Sequence, residues 1–322
     1  MRPVLAVAIA LMSACGRVGF DAPDGLANGS DGGAADDGMG SDGAVACVAI
    51  TPNTWLASTV PNDPGSGLPH IASLTVSSDG TFVTDNVSGL VWERDPDPTL
   101  RMLADAKTYC AGLSLGGCAE WRVPQMSELA TIVDHSQVSP VIDPTAFPST
   151  ATDASWWSAT FQSSTVNNAW AVRFTNGNSS VAAVGTANHV RCVRSARAAD
   201  QPPARYVISG GTVHDIDTNL IVQASDDGMM RDAPTAAAYC AGLALGPGTW
   251  RLPSIDEMLS VNDWTHATPA LDPVSFPSAS TGIYWTATTF AGATGVQMIL
   301  DNDEGIVMNG NTTDTHLVRC VQ

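Results

Sequence analysis

The chain has few basic residues and, beyond its first residues, no hydrophobic run of the ~20 residues that a membrane-spanning helix needs. Lysine and arginine together number 14 against 32 aspartates and glutamates, so the formal net charge is −18. A protein this acidic is repelled by nucleic acid, by anionic lipid and by sulfated sugars. We therefore expect no nucleic-acid partner, and membrane contact only through an anchor.

Motifs that carry catalysis are also scarce, since no phosphate loop or dinucleotide fingerprint occurs. The segment 112–116 (GLSLG) has the pattern of a nucleophile elbow, but it follows a predicted helix, and its duplicate at 242–246 has alanine in place of the serine. The six histidines lack the spacing of a zinc site, so we expect isolated side chains. The sequence predicts a protein that is not an enzyme; a hydrolase is the weakest of the alternatives.

The amino terminus has the pattern of an export signal. Arg2 precedes an apolar run over 4–12, and Ser13 and Ala14 lead to Cys15. Such a segment is too short to span a membrane and is typical of a signal peptide. The Ser-Ala-Cys ending resembles a bacterial lipoprotein box, in which Cys15 would carry lipid; an ordinary secretory leader is the alternative. We predict export and lipid anchoring to the bacterial envelope, at the outer membrane or cell surface.

Residues 16–46 form a tether rich in glycine and aspartate. Four Asp-Gly pairs occur there, and almost no large apolar residue follows Phe20. A segment that cannot bury apolar surface does not offset its chain entropy, so we predict a disordered linker.

The strongest pattern is a repeat with a period of about 130 residues. The sequence Tyr-Cys-Ala-Gly-Leu occurs at 109–113 and again at 239–243, and further paired motifs follow in the same order. We predict a first domain with its lead-in segment over 47–196, a linker over 197–204 and a second domain over 205–322. Each repeat reads as α+β: two strands around a turn, two helices, and then short strands.

Both repeats resemble the C-terminal domain of the Legionella collagen-like protein and its relatives. The motifs that carry the resemblance in the first repeat are Ser88-Gly89-Leu90-Val91-Trp92, Tyr109-Cys110, Trp121-Arg122-Val123-Pro124, Glu128-Leu129, Trp157-Ser158-Ala159-Thr160 and Val190-Arg191-Cys192-Val193. The second repeat departs at the first motif, with Val222 in place of the tryptophan, and the collagen-like stalk is absent. The resemblance implies two C-type-lectin-like domains, each with two helices and a small twisted antiparallel sheet closed by a disulfide, and a role in adhesion or ligand binding.

The seven cysteines fit this interpretation, because six remain if Cys15 is lipidated. Cys110 with Cys192, and Cys240 with Cys320, occupy equivalent places, so we expect each pair to close its own repeat. Cys47 and Cys118 have no counterpart in the second repeat, which suggests that they pair with each other.

The segments before the closing Val-Arg-Cys motif differ most between the repeats, and loops that diverge on a fixed frame often bind partners. We predict ligand contacts at Trp170, Asn176 and Asn178, and at Asp301, Asp303 and Glu304. Drift in surface loops is the alternative, and Trp170 could equally lie in the core. Asp301 and Asp303 are also a weak candidate site for Ca²⁺, although a solvated turn is favoured there.

Arg122 and Glu128 recur at the same spacing as Arg251 and Glu257. They could bind a carboxylate ligand, but an ion pair that fixes a loop to a helix is the favoured interpretation.

For the whole chain, the leading hypothesis is a cell-surface binding module for a glycan or a protein. A structural envelope component is the alternative; it would have buried tryptophans, whereas a glycan binder would expose them at one rim.

Overall fold

The computed structural model describes residues 60–194 and 205–322. The predictions for Cys15, Cys47 and the tether over 16–46 lie outside these residues. Within the described ranges, no helix has both the length and the apolar character to cross a membrane.

The first repeat contains two helices and two small antiparallel sheets. Its elements are β1 (Leu74–Val76), β2 (Phe82–Asp85), β3 (Val91–Glu93), α1 (Leu103–Ala111), α2 (Met126–Ala130), β4 (Trp156–Phe161), β5 (Asn168–Val172), β6 (Ser179–Ala183) and β7 (Val193–Arg194). One sheet has the order β1-β2-β3-β7 and the other has the order β4-β5-β6. The α+β class is therefore confirmed, with two sheets where we expected one.

The second repeat follows the same plan. Its elements are β8 (Tyr206–Ser209), β9 (Thr212–Asp215), β10 (Ile221–Gln223), α3 (Ala233–Ala241), α4 (Ile255–Val261), β11 (Ile283–Thr289), β12 (Val296–Asp301) and β13 (Ile306–Asn311). The sheets have the orders β10-β9-β8 and β11-β12-β13. The closing segment forms only single bridges, from Val321 to Val222 and to Arg251.

Local side-chain chemistry explains where the helices begin. The Asp232 carboxylate accepts a hydrogen bond from Thr235 N (2.9 Å) at the start of α3. Ser254 and Glu257 form a reciprocal capping box at the start of α4. At α2, the Glu128 carboxylate accepts from Gln125 N (2.8 Å) and the Gln125 side chain accepts from the backbone of Glu128, so the box is present with glutamine in place of serine.

A disulfide ties the first helix of each repeat to the closing segment. Cys110 is bonded to Cys192, and Cys240 to Cys320. Each bond closes a loop of about 80 residues, which corresponds to about 4 kcal/mol of chain entropy. Cys118 is also disulfide-bonded, and its expected partner, Cys47, lies outside the described residues.

The two repeats share a hydrophobic core. Residues around each disulfide form a separate cluster in each repeat. A third and larger cluster joins the repeats, because it contains Met126, Leu129 and Trp170 of the first together with Met258 and Trp264 of the second. The indole rings of Trp170 and Trp264 meet edge to face, with centroids 4.9 Å apart.

Two hairpins meet beside this shared core. We call β5–β6 the first junction hairpin and β12–β13 the second junction hairpin. The Ser179 hydroxyl donates to the carbonyl oxygen of Gly305 (3.2 Å) and accepts from Val307 N (2.8 Å). Gln162 Nε2, in the turn before β5, donates to Glu304 Oε2 (3.0 Å). The hairpin regions therefore bind each other, and the junction combines polar and apolar contacts.

Replacing Trp170 with alanine should lower the free energy of unfolding by about 3–5 kcal/mol, because it leaves a cavity in the shared core. Equilibrium denaturation followed by circular dichroism measures the change. Val166→Ala is the control, since Val166 lies in the turn before β5 and is 83% exposed. Equal stability of the Trp170→Ala variant and the wild type would contradict the shared core.

Candidate functional site

The structure brings the six predicted ligand residues to the junction between the repeats. Trp170 lies on β5, Asn176 and Asn178 lie in the turn of the first junction hairpin, and Asp301, Asp303 and Glu304 lie at the turn of the second. The divergent segments are therefore near each other, but they face the other repeat as well as solvent.

Trp170 is not available to a ligand at the surface. It is 2% exposed and packs against Trp264, so its ring belongs to the core. The apolar context Ala169–Val172, all of it buried, explains this placement. The prediction that Trp170 contacts a ligand is corrected here in favour of the core alternative.

The other five residues mostly serve the hairpin turns. Asn176 Oδ1 accepts from Asn178 N (3.2 Å), and Asp301 Oδ1 accepts from Asp303 N (2.9 Å). Asp303 Oδ1 accepts from Gly282 N (3.0 Å). The first two are the side chain-to-backbone hydrogen bonds of ordinary turns, and the third connects the second turn to the residue before β11. Within the described residues, Asp301 and Asp303 do not belong to a group of three side chains placed to hold a metal ion.

The best candidate for a ligand site is a pocket in the first repeat. It has a volume of about 640 Å³ and opens to solvent between the β3–α1 loop and the segment before β4. Its polar lining residues are Glu93, Asp95, Asp97, Tyr109, Ser149 and His189. Trp156 lies at its base but is 1% exposed, so the half-exposed Tyr109 is the aromatic ring that a ligand can reach.

One wall of this pocket is a chain of polar contacts. The Tyr109 hydroxyl donates to Glu93 Oε1 (2.5 Å), and Cys192 N donates to Glu93 Oε2 (2.9 Å). The Arg101 guanidinium lies 4.0 Å from the centre of the Tyr109 ring and pairs with Asp97 at 3.1 Å. The disulfide of Cys110 fixes α1, so the orientation of Tyr109 is fixed as well.

The opposite wall is built from stacked rings. The His189 imidazole stacks on Trp156 with centroids 4.9 Å apart, and its Nε2 lies 2.8 Å from Asp153 Oδ1. Behind them, the buried Arg191 donates to the carbonyl oxygens of Glu93 and Arg94, both at 2.7 Å. Burial lowers the pKa of Arg191 to about 9, so the guanidinium stays charged at neutral pH.

The second repeat has an equivalent of the Tyr109 wall but different contacts at the opposite wall. Gln223, Tyr239, Arg231 and Asp227 reproduce the contacts of Glu93, Tyr109, Arg101 and Asp97. However, the buried Asp226 carboxylate pairs with Arg319 at 3.1 Å and accepts from the Tyr284 hydroxyl at 2.6 Å. Pro96 and Trp156 stand at the corresponding positions of the first repeat. Asp226 is therefore engaged by the protein itself, whereas Asp95 and Asp97 of the first repeat are exposed.

The pocket of the first repeat is acidic. Asp97 has a pKa lowered to about 2, chiefly by its hydrogen bonds to Thr99, so it is charged at neutral pH. Burial raises the pKa of Glu93, and its hydrogen bonds to Tyr109 and Cys192 oppose that shift. Such a lining accepts hydrogen bonds from hydroxyl and amino groups and disfavours sulfate or phosphate.

Sequence reasoning missed this pocket, although one signal was present. Arg101 and Arg231 each stand eight positions before the tyrosine of the repeated Tyr-Cys motif. That spacing marks the wall that both repeats share, but nothing in the sequence places Ser149 or His189 opposite it.

The repeated pair Arg122 and Glu128 forms a bidentate ion pair (2.6 and 2.7 Å), as Arg251 and Glu257 do, in agreement with the favoured interpretation.

Comparison with known proteins identifies both repeats. The profile of the Lcl C-terminal domain matches residues 81–194 and 211–322, which together are more than half of the chain. This match supports a surface-associated domain. No curated protein matches the chain significantly.

Exchanging Glu93 for glutamine should stabilise the protein increasingly as the pH is raised from 4.5, the ordinary pKa of a glutamate, towards neutral. The pKa of Glu93 is raised by burial, so its contribution to stability is present at low pH and is lost as the pH rises through that pKa. Gln223 shows that the amide keeps both hydrogen bonds. Denaturation of both proteins across this pH range measures the difference, and a difference that is flat or falls with pH would contradict the buried carboxyl.

Proposed function

Because the chain belongs to the Lcl C-terminal domain family, we propose that it is a non-catalytic binding protein at the cell surface, with its ligand site in the pocket of the first repeat. The observation that carries the proposal is the open, acidic pocket between Tyr109 and His189. In the second repeat, the corresponding region contains Asp226, which is paired with Arg319. We propose a glycan as the ligand, with a protein segment as the alternative.

The chemistry of the pocket favours a neutral or amino-bearing glycan. The exposed carboxylates of Asp95 and Asp97 can accept hydrogen bonds from sugar hydroxyls, and Tyr109 offers part of an aromatic ring. Sulfated glycans are disfavoured, because the net charge of −18 repels them throughout the approach.

We also propose that each repeat has a C-type-lectin-like fold. The disulfides that join α1 and α3 to the closing segments support this, since the resemblance implies such a link in each repeat.

The helix end at Gly112 supports the proposal of a non-catalytic role. Ser114 follows a helix there, whereas the serine of a nucleophile elbow stands on a strand-to-helix turn.

A structural component of the envelope is the second candidate, and a specific observation favours it. All eight tryptophans within the described residues are at most 4% exposed. A glycan site built on exposed tryptophan rings is therefore absent from the described part of the chain. Binding through the pocket depends instead on Tyr109 and on hydrogen-bonding side chains.

Blocking the pocket should abolish glycan binding. Ser149 is exposed at the pocket rim, so Ser149→Trp fills the opening without disturbing the core. On an array of neutral, amino-bearing and sulfated glycans, we expect the wild type to bind members of the first two classes, and the Ser149→Trp variant to bind at least about 10-fold more weakly, a loss of about 1.4 kcal/mol.

Ser278→Trp is the matched control, because Ser278 is the exposed counterpart in the second repeat. It should bind like the wild type. Failure of the wild type to bind any glycan, or equal binding by both variants and the wild type, would leave the structural role as the better proposal.

For localisation, we propose lipid anchoring through Cys15. The variant Cys15→Ser should move the protein from the membrane fraction to the soluble fraction, because it removes the site of acylation. Immunoblots of fractionated cells measure this, and a variant that stays in the membrane fraction would rule out the anchor.

A further inference from the structure

Three polar side chains from distant parts of the sequence meet next to the shared core. They are Asp63 of the lead-in segment, His135 after α2, and Asp256 on α4. One nitrogen or oxygen atom from each lies within 4.8 Å of the other two. Among the described residues, this is the only group of three side chains placed to hold a metal ion.

Two of these side chains are buried with atoms that lack hydrogen-bond partners. His135 is 2% exposed, and neither of its ring nitrogens has a hydrogen bond. Asp256 is 5% exposed, and its Oδ1 has none. An unpaired buried polar group costs roughly 1–3 kcal/mol, and a charged group costs more, so such an arrangement calls for a binding partner.

The orientation of the imidazole points one ring nitrogen to Asp63. His135 Nε2 faces Gly177, where an added Cβ would come within 2.7 Å of it. His135 Nδ1 faces Asp63 Oδ2 at 3.8 Å, which is too long for a hydrogen bond. Two ligand atoms that bind one ion at about 2.0–2.2 Å lie about 3–4 Å apart, so the separation suits a shared cation.

No cationic side chain within the described residues neutralises the two carboxylates. Asp63 has only His135 as an ion-pair partner and Asp256 has none. Asp63 Oδ1 is fixed by a hydrogen bond from His135 N (3.0 Å). Burial raises the pKa of both carboxyls and lowers that of His135, which agrees with a site that lacks a compensating positive charge.

An acidic cavity borders the cluster at Asp63. It has a volume of about 100 Å³, and Asp63, Asp85, Asp134 and Asp143 are among its lining residues. Carboxylates along an entrance raise the local concentration of cations.

We propose that Asp63, His135 and Asp256 bind one divalent transition-metal cation, which holds the lead-in segment against both repeats. An imidazole nitrogen with two carboxylate oxygens suits Zn²⁺ or a similar ion, whereas Ca²⁺ prefers oxygen ligands alone. Within residues 60–194 and 205–322 the site occurs once, because the positions equivalent to His135 and Asp256 are occupied by Trp264 and Ser127.

The test uses the purified full chain, stripped with chelator and then incubated with Zn²⁺. We expect the protein to retain one Zn²⁺ per chain after gel filtration, measured by elemental analysis, and to show a higher Tm with Zn²⁺ than with chelator. The variants His135→Gln and Asp256→Asn should lose both effects. His266→Gln is the matched control, because His266 also pairs with a carboxylate, Asp263 (2.6 Å), but has no third ligand beside it.

Two results would overturn the proposal. Retention well below one Zn²⁺ per chain would do so, as would unchanged retention in folded His135→Gln or Asp256→Asn. If neither variant folds, the absorption spectrum of the wild type titrated with Co²⁺ decides. Saturation at one equivalent with bands of nitrogen–oxygen coordination supports the site, and the absence of such bands refutes it.

Discussion

The contact between Trp170 and Trp264 is the constraint on which the arrangement of the two repeats depends. Each indole comes from a different repeat, and the core around them contains both α2 and α4 residues. The junction hairpins must therefore lie against each other, which the Ser179 hydroxyl reinforces through its bonds to Gly305 and Val307. The junction therefore covers the surfaces of both hairpins, whereas the pocket beside Tyr109 lies in the first repeat and is open to solvent.

Much of the scaffold could be predicted from the sequence because local chemistry determines it. The paired cysteines, the Glu257 capping box and the repeated Trp-Arg-x-Pro segments each act within one repeat, so two copies of a motif predict two copies of a structure. The strand β1 was missed, because its three residues are too few to establish an alternating pattern and they pair only with β2.

The sites were harder to predict because they depend on contacts between distant segments. We interpreted the divergence of the hairpins as a sign of ligand binding. For Trp170, the structure shows instead a contact with Trp264 of the other repeat. His135 appeared isolated in the sequence, since Asp63 and Asp256 belong to the lead-in segment and to the other repeat. No spacing rule links residues that only the docking of two repeats brings together.

The shared core also makes the chain a pseudodimer whose halves cannot diffuse apart. In a dimer of separate subunits, the apolar faces would be covered only at concentrations above the dissociation constant, whereas a covalent link gives an effective concentration of about millimolar or more. The two halves therefore need not present identical surfaces to each other in order to stay together. Equivalent positions can carry different residues, as His135 in the first repeat and Trp264 in the second repeat illustrate. Duplication within one chain thus frees the two halves to differ: the first repeat has the pocket beside Tyr109, and the second has a buried ion pair between Asp226 and Arg319.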